Sequence, residues 1–161
     1  MTKKRRKKNI VLSIVAVVFI ATLALMGWNK IGPLGWVPWG DTNNSGGVGV
    51  AGYDPISYIE SGKAEAGDAS LSYTWNEVEW RFVSQEHLDA FKAKPEAHAP
   101  QLGGYCAAAV AFGMTADIEP DSWHVEDGKL YLFFNDAAKK SFENGISDGI
   151  ISKAEQNWKQ R

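Results

Sequence analysis

The sequence of 161 residues contains a single cysteine, Cys106. One thiol excludes a disulfide within the chain and a zinc site of the Cys-x-x-Cys type. A lipoprotein leader is also excluded, because no cysteine follows the N-terminal apolar segment. The sequence further lacks a phosphate loop, a nucleotide-binding glycine fingerprint and a spacing typical of a Ser-His-Asp triad. These absences favour a protein that is not an enzyme.

Basic residues are scarce outside the extreme N-terminus. The first eight residues carry six lysines and arginines and no acid. The rest of the chain has 11 basic and 19 acidic residues, a net charge of −8. Nucleic-acid binding needs a basic surface that neutralises phosphates. An acidic body without a basic stripe therefore predicts no nucleic-acid partner.

Residues 10–28 form the one long apolar run, and they carry no charge. A helix of this length spans a hydrocarbon core of about 30 Å. Two interpretations compete: an uncleaved signal anchor and a cleaved secretory signal, which needs a shorter core and small residues before the cut. The poor cleavage sequence favours the anchor, with residues 1–9 in the cytoplasm and the body outside. Trp28, Trp36 and Trp39 are then predicted to lie at the membrane interface.

The composition changes after the apolar run. Residues 29–49 are rich in Gly, Pro, Asn and Ser without a lasting period, so this segment is interpreted as a linker. Residues 50–161 are interpreted as one folded domain. Alternating apolar residues predict β-hairpins that turn at Asn76-Glu77 and Asp127-Gly128. Helix starts are predicted at Asp54, Ser84, Asn135 and Ser147, and a small-residue helix follows Cys106. The predicted fold class is therefore α+β: a small single domain with two β-hairpins and several short helices.

Cys106 follows Gly103-Gly104 and precedes a run of alanines. In one interpretation the glycines turn the chain so that the thiol lies in the first helical turn, where amide groups and the helix dipole lower its pKa. In the other, Cys106 packs as a small buried hydrophobe. The sequence leaves both interpretations open.

The sulfur and imidazole side chains of the sequence are candidate ligands for a soft metal ion. His87, His98, His124, Met114 and Cys106 could supply nitrogen and sulfur donors for copper or zinc. Their spacing is not a ligand signature, since neither Cys-x-x-Cys nor His-x-x-x-His occurs. Each histidine taken alone is therefore interpreted as a surface or core residue.

Four blocks together resemble one known family: "GYDPISYIESGKAEAG", "YTWNEVEWRFVSQEHLDAFKAKPEAHAP", "QLGGYCA" and "DGKLYLFFN". They are similar to the exported single-domain branch of the bacterial YHS-domain family, over roughly residues 48–160. The resemblance implies a fold related to TRASH-like metal-binding modules and the binding of copper or another soft metal. It also implies a functional role for Cys106, because some relatives carry selenocysteine there.

The same resemblance suggests which residues form the site. Cys106 would be the central metal ligand, with His87 or Met114 as helpers. Two short runs of residues would flank one pocket, with the hydroxyls of Tyr53 and Tyr105 near the sulfur. The first run is Gly52, Tyr53, Asp54 and Pro55, and the second is Gly103, Gly104 and Tyr105. The chain departs from the metal-binding members at Val83 and His87, where they carry cysteines.

Three functions remain as hypotheses. The first is a single-pass protein of the bacterial cytoplasmic membrane whose outer domain, facing the periplasm or the cell exterior, binds a soft metal through Cys106. The second is a thiol redox protein that uses Cys106 alone. The third is a non-catalytic module that binds a small molecule or a protein through an aromatic-lined pocket.

Overall fold

A computed structural model describes residues 3–34 and 40–161. Helix α1, Lys3–Trp28, contains the apolar stretch Ile10–Trp28, which has a mean hydropathy of 2.8 and is not buried by the rest of the chain. By length and composition, this stretch can cross a membrane as an anchor or serve as a signal sequence. Trp28 is exposed at its end, whereas Trp36 and Trp39, also predicted at the interface, lie outside the described residues.

The other elements form a mixed α+β domain, as the sequence predicts. The strands are β1 Gly32–Pro33, β2 Asn44–Ser45, β3 Val48–Gly49, β4 Asp68–Trp75, β5 Val78–Phe82, β6 Met114–Thr115, β7 Glu119–Glu126 and β8 Lys129–Phe133. The helices after α1 are α2 Pro55–Glu60, α3 Gln85–Ala93, α4 Pro95–His98, α5 Ala107–Ala111, α6 Asp136–Asn144 and α7 Ile150–Lys159. Three sheets result, with strand orders β1-β6, β2-β3-β5-β4 and β7-β8.

Both predicted hairpins are present. Strands β4 and β5 pair antiparallel around Asn76 and Glu77, whose φ angles are 50° and 63°. Strands β7 and β8 pair antiparallel around Asp127 and Gly128, with φ of 51° and 72°. Two consecutive left-handed residues make the tight turn whose twist matches that of the strands.

The side-chain caps were predicted correctly at three helices. The side chains of Asp54, Ser84 and Asn135 accept hydrogen bonds from backbone N–H groups in the first turns of α2, α3 and α6. The predicted cap at Ser147 is wrong. Helix α7 begins after Gly149, whose φ of 82° reverses the chain before the helix starts.

The segment 29–49 differs from a free linker wherever it is described. Strand β1 pairs with β6, β2 pairs with β3, and β3 joins β5 in parallel. Asn43 is buried within the domain. Strands of two residues are too short to show a period of two, which is why the sequence pattern did not predict them.

The core divides into two clusters of buried side chains. One lies among α5, α6, α7 and β8 and contains Tyr105, Cys106, Phe133 and Phe142. The other lies between the first hairpin, α2 and α3, and contains Trp80, Phe82 and Phe91. Ile118 packs against both clusters. Among the predicted site residues, Tyr105 and Cys106 belong to the first cluster, whereas Tyr53 packs against the second.

Candidate functional site

The Gly103-Gly104 pair has a packing role. Both residues have positive φ, 62° and 74°. A Cβ on Gly103 would lie 2.2 Å from the carbonyl oxygen of Asp41 and 2.7 Å from the indole of Trp158. Only glycine allows this approach, which brings residues 41–43 and α7 against the chain just before Cys106. Asn43 fixes the contact, because its N–H donates to the Gly103 carbonyl at 2.7 Å and its amide to the Gly104 carbonyl at 3.1 Å.

Cys106 is the N-cap residue of α5 and is only 2% exposed. Burial raises the pKa of its thiol, although interactions with the backbone amides of Ala109, Phe134 and Ala108 act in the opposite direction. This direction favours the second of the two interpretations, in which Cys106 packs as a small buried hydrophobe. The thiol stays protonated at neutral pH, and its surroundings match those of an inert buried cysteine.

The other predicted metal ligands have surroundings of their own. Met114 lies on β6 opposite Pro33 and is 39% exposed. His87 lies in α3 and pairs with two carboxylates, Asp54 and Glu60. Within the described part of the chain, no three His, Cys, Asp or Glu side chains are grouped in a way that could hold a metal ion. The copper site stays a prediction drawn from the family resemblance.

Asp54 and His87 form a pair that sequence reasoning missed. Asp54 is fully buried, and His87 Nδ1 donates to its Oδ2 at 2.6 Å. The same oxygen accepts the N–H of Val83 at 2.9 Å, and Oδ1 accepts that of Ile56 at 2.8 Å. Every contact of this carboxylate therefore serves to join α2, the end of β5 and α3. The signal in the sequence was the Asp-Pro cap, but only the fold reveals its partner 33 residues later.

The two runs predicted to flank one pocket have different neighbours. Tyr53 belongs to the cluster around the first hairpin, whereas Tyr105 packs in the other cluster against Trp158. The Tyr105 hydroxyl donates to the carbonyl of Gly40 at 3.0 Å, and burial raises its pKa to about 12. Among the predicted pocket residues, Gly103 lines the cleft described next.

An open cleft of about 580 Å³ lies between the turn of the first hairpin, residues 96–103 and the end of α7. The indoles of Trp75, Trp80 and Trp158 contribute to its lining, together with Pro100 and Leu102. Trp80 is 1% exposed and donates its indole N–H to the Trp75 carbonyl at 3.2 Å. The aromatic part of the lining is thus held in place by the core beneath it.

Charged pairs surround this aromatic lining. Arg161 lies 3.1 Å from Asp41, and its guanidinium carbon lies 3.5 Å from the ring centroid of Trp158. Lys129, which also lines the cleft, lies 3.3 Å from Glu155. Partly exposed ion pairs of this kind contribute only about 0–1 kcal/mol each. They can therefore exchange partners with a polar ligand at little cost.

Comparisons with protein-family models, with curated proteins and with solved structures found no significant match to this chain.

Proposed function

We propose that this protein is a membrane-anchored module that binds a small amphipathic molecule or peptide in the cleft between the first hairpin and α7. The observation that carries the proposal is the cleft itself, which is lined by the partly exposed Trp75 and Trp158, with the buried Trp80 beside Trp75 and with ion pairs among the lining residues. A volume of about 580 Å³ lies in the range of small-molecule sites.

The lining indicates the chemistry of the ligand. Indole faces favour flat apolar surfaces, and the surrounding polar groups favour hydrogen-bonding substituents. Acids and bases both line the cleft in equal number: the acids are Asp41, Glu96 and Glu155, and the bases are Lys129, Lys159 and Arg161. Such a mixture suits a neutral or zwitterionic ligand better than a strongly charged one. Sugars, aromatic amino acids and short peptides have these properties.

The anchor supports the location of this binding activity. Six basic residues precede the apolar stretch Ile10–Trp28, so the helix orients with its N-terminus in the cytoplasm. The cleft is then displayed outside the cytoplasmic membrane of a bacterial cell.

Ligand-observed NMR with the full chain in detergent micelles tests the proposal. The probes are a set of mono- and disaccharides, aromatic amino acids and dipeptides. We expect at least one class to bind, and Arg161→Ala to weaken its binding several-fold because the guanidinium over Trp158 is lost. Lys63→Ala, at an exposed position on the α2–β4 connection, is the matched control and should leave binding unchanged. Absence of binding by every class, or equal binding by both variants, contradicts the proposal.

A further inference from the structure

The chain leaves the end of α1 in a fixed geometry. Ile31 N–H donates to the Met26 carbonyl at 2.8 Å, and Lys30 N–H donates to the Gly27 carbonyl at 3.2 Å. Lys30 has a φ of 50°. These two bonds around a left-handed residue are the Schellman motif, which closes the helix and reverses the chain.

The residues after this motif are bonded to the folded domain. Asp117 N–H donates to the Asn29 carbonyl at 2.8 Å, and the Thr115 hydroxyl donates to the Lys30 carbonyl at 2.9 Å. The Lys30 ammonium donates to the side chain of Asn43 and lies 3.7 Å from Asp117. Strand β1 then pairs with β6, and Leu34 N–H donates to the Gly113 carbonyl at 2.8 Å.

This pairing brings an exposed apolar turn close to the end of α1. The turn consists of Phe112 and Gly113, which join α5 to β6, and of Met114, the first residue of β6; Phe112 is 67% exposed. Trp28, the last residue of α1, is 85% exposed. Pro33, the partner of Met114, lies five positions after Trp28, so at most about 18 Å of chain joins them.

We propose that the 112–114 turn inserts into the headgroup region of the same membrane that α1 crosses, as a second contact beside the helix. The inference rests on the membrane anchoring proposed above. We expect lipid to cover this turn because hydrogen bonds join the turn to the segment that follows the apolar helix. Phe is among the apolar residues that interfacial segments bury at the boundary between headgroups and acyl chains.

The ammonium group of Lys153 is the charged group that we expect to contact the lipid headgroups beside the turn. This ammonium lies 5.1 Å from the centroid of the Phe112 ring. A lysine beside an inserted ring extends its ammonium to the phosphates while its methylene groups cover apolar surface. Anionic lipids strengthen this attraction.

Fluorescence quenching on the full chain in phosphatidylcholine–phosphatidylglycerol nanodiscs tests the inference. An environment-sensitive NBD probe is attached through Phe112→Cys, at a position whose exposure leaves the core intact. Ala69→Cys, exposed on β4, is the matched water-facing control, and Val15→Cys within α1 reports whether the helix is in lipid. The unsubstituted chain, treated identically, measures any labelling of the buried Cys106.

We expect the probe at position 112 to be quenched by nitroxide-labelled lipid and to be several-fold less accessible to iodide than the probe at 69. If iodide quenches positions 112 and 69 equally while position 15 is quenched by lipid, the turn lies in water, and the inference fails while the anchor stands. If position 15 is also open to iodide, the anchor fails and the inference with it. Shielding of position 112 from both quenchers overturns the inference in favour of a protein contact.

Discussion

Cys106 shows how much the surroundings of one residue decide its chemistry. The glycines before it and the helix after it are the features that favour a reactive thiolate. In the structure the glycines serve the approach of Asp41 and Trp158, and the sulfur is enclosed by a core cluster that includes Phe133 and Phe142. Desolvation then outweighs the nearby amides and raises the thiol pKa.

The first prediction concerns the reactivity of this thiol. Iodoacetamide should alkylate Cys106 in the folded full chain on the order of a hundredfold or more slower than in urea, because reaction requires opening of the core. The measurement is the alkylation rate against pH, followed by mass spectrometry. Rapid alkylation with an apparent pKa below about 8.5 would show an activated thiol and favour the metal and redox hypotheses.

The second prediction concerns stability at alkaline pH. Burial raises the pKa of Cys106 in the folded state. The contribution of the thiol to the free energy of unfolding is therefore complete below the unfolded-state pKa, and it declines as the pH rises towards the folded-state pKa. Above the unfolded-state pKa, this one thiol should lower the free energy of unfolding by about 1.4 kcal/mol per pH unit.

The check on this slope is thermal unfolding of the natural chain and of Cys106→Ala between pH 8 and pH 10, a range chosen to lie around the ordinary thiol pKa. The variant should lose part of the decline because it has no thiol to ionise. Tyr105 and Tyr131, whose pKa values burial raises to about 12, remain in both proteins. Identical slopes in the two proteins would mean that Cys106 does not have a raised pKa.

At the scale of elements, glycines with similar backbone angles have different importance. Gly62 has a φ of 65°, and a Cβ at this position would have no neighbouring atom within 4 Å. Gly103 has a φ of 62°, but a Cβ there would lie 2.2 Å from the carbonyl oxygen of Asp41. The first serves only the turn after α2. The second determines how residues 41–43 pack against α7.

The third prediction follows from this pair. Gly62→Ala should cost about 1–2 kcal/mol from left-handed strain alone. Gly103→Ala should cost about 2–4 kcal/mol more, since it also displaces Asp41 and strains the bond from Asn43 N–H to the Gly103 carbonyl. Urea unfolding of both variants in the same detergent measures the difference. Equal losses would show that the two glycines are needed only for their backbone angles.

The elements also show which parts of the fold the sequence could predict. Hairpins turning at Asn76 and Asp127 and caps at Asp54, Ser84 and Asn135 depend on local chemistry, and the sequence contains all of it. Strand β1 pairs with β6 and strand β3 pairs with β5, each at least 30 residues later in the chain, whereas β2 pairs with the neighbouring β3. A strand of two residues has no alternating pattern that the sequence could show. The cleft was missed for the same reason, because its indoles at 75, 80 and 158 come together only through tertiary packing.

At the scale of the whole molecule, the apolar helix α1 and the domain are joined by hydrogen bonds in place of a free tether. Lys30 is the only residue between Trp28 and Val50 after which trypsin cuts. Its side chain is mostly buried, and the backbone on both sides is bonded to α1 and to β6. A flexible linker would leave this bond open to proteases.

The fourth prediction is that trypsin does not cut after Lys30 in the full chain in micelles. Asp117→Ala removes the partner of both Lys30 and Asn43 and should raise cleavage there several-fold. Asp121→Ala, at an exposed position nearby in sequence, should not change it. The fragment beginning at Ile31, quantified by mass spectrometry, is the measure. Rapid cleavage of the natural chain at this bond would contradict a fixed junction.

The hydrogen-bonded junction at residues 29–34 also limits the space from which this protein can collect a ligand. A folded domain of about 130 residues has a radius of gyration of about 14 Å, so it is roughly 36 Å across. Without a tether to extend it, the cleft of a chain anchored as proposed never moves farther than that from the lipid. The ligand concentration that the cleft meets is therefore the concentration in a thin layer over the bilayer. Molecules that are enriched in this layer are favoured for binding over molecules that are dilute in the bulk solution.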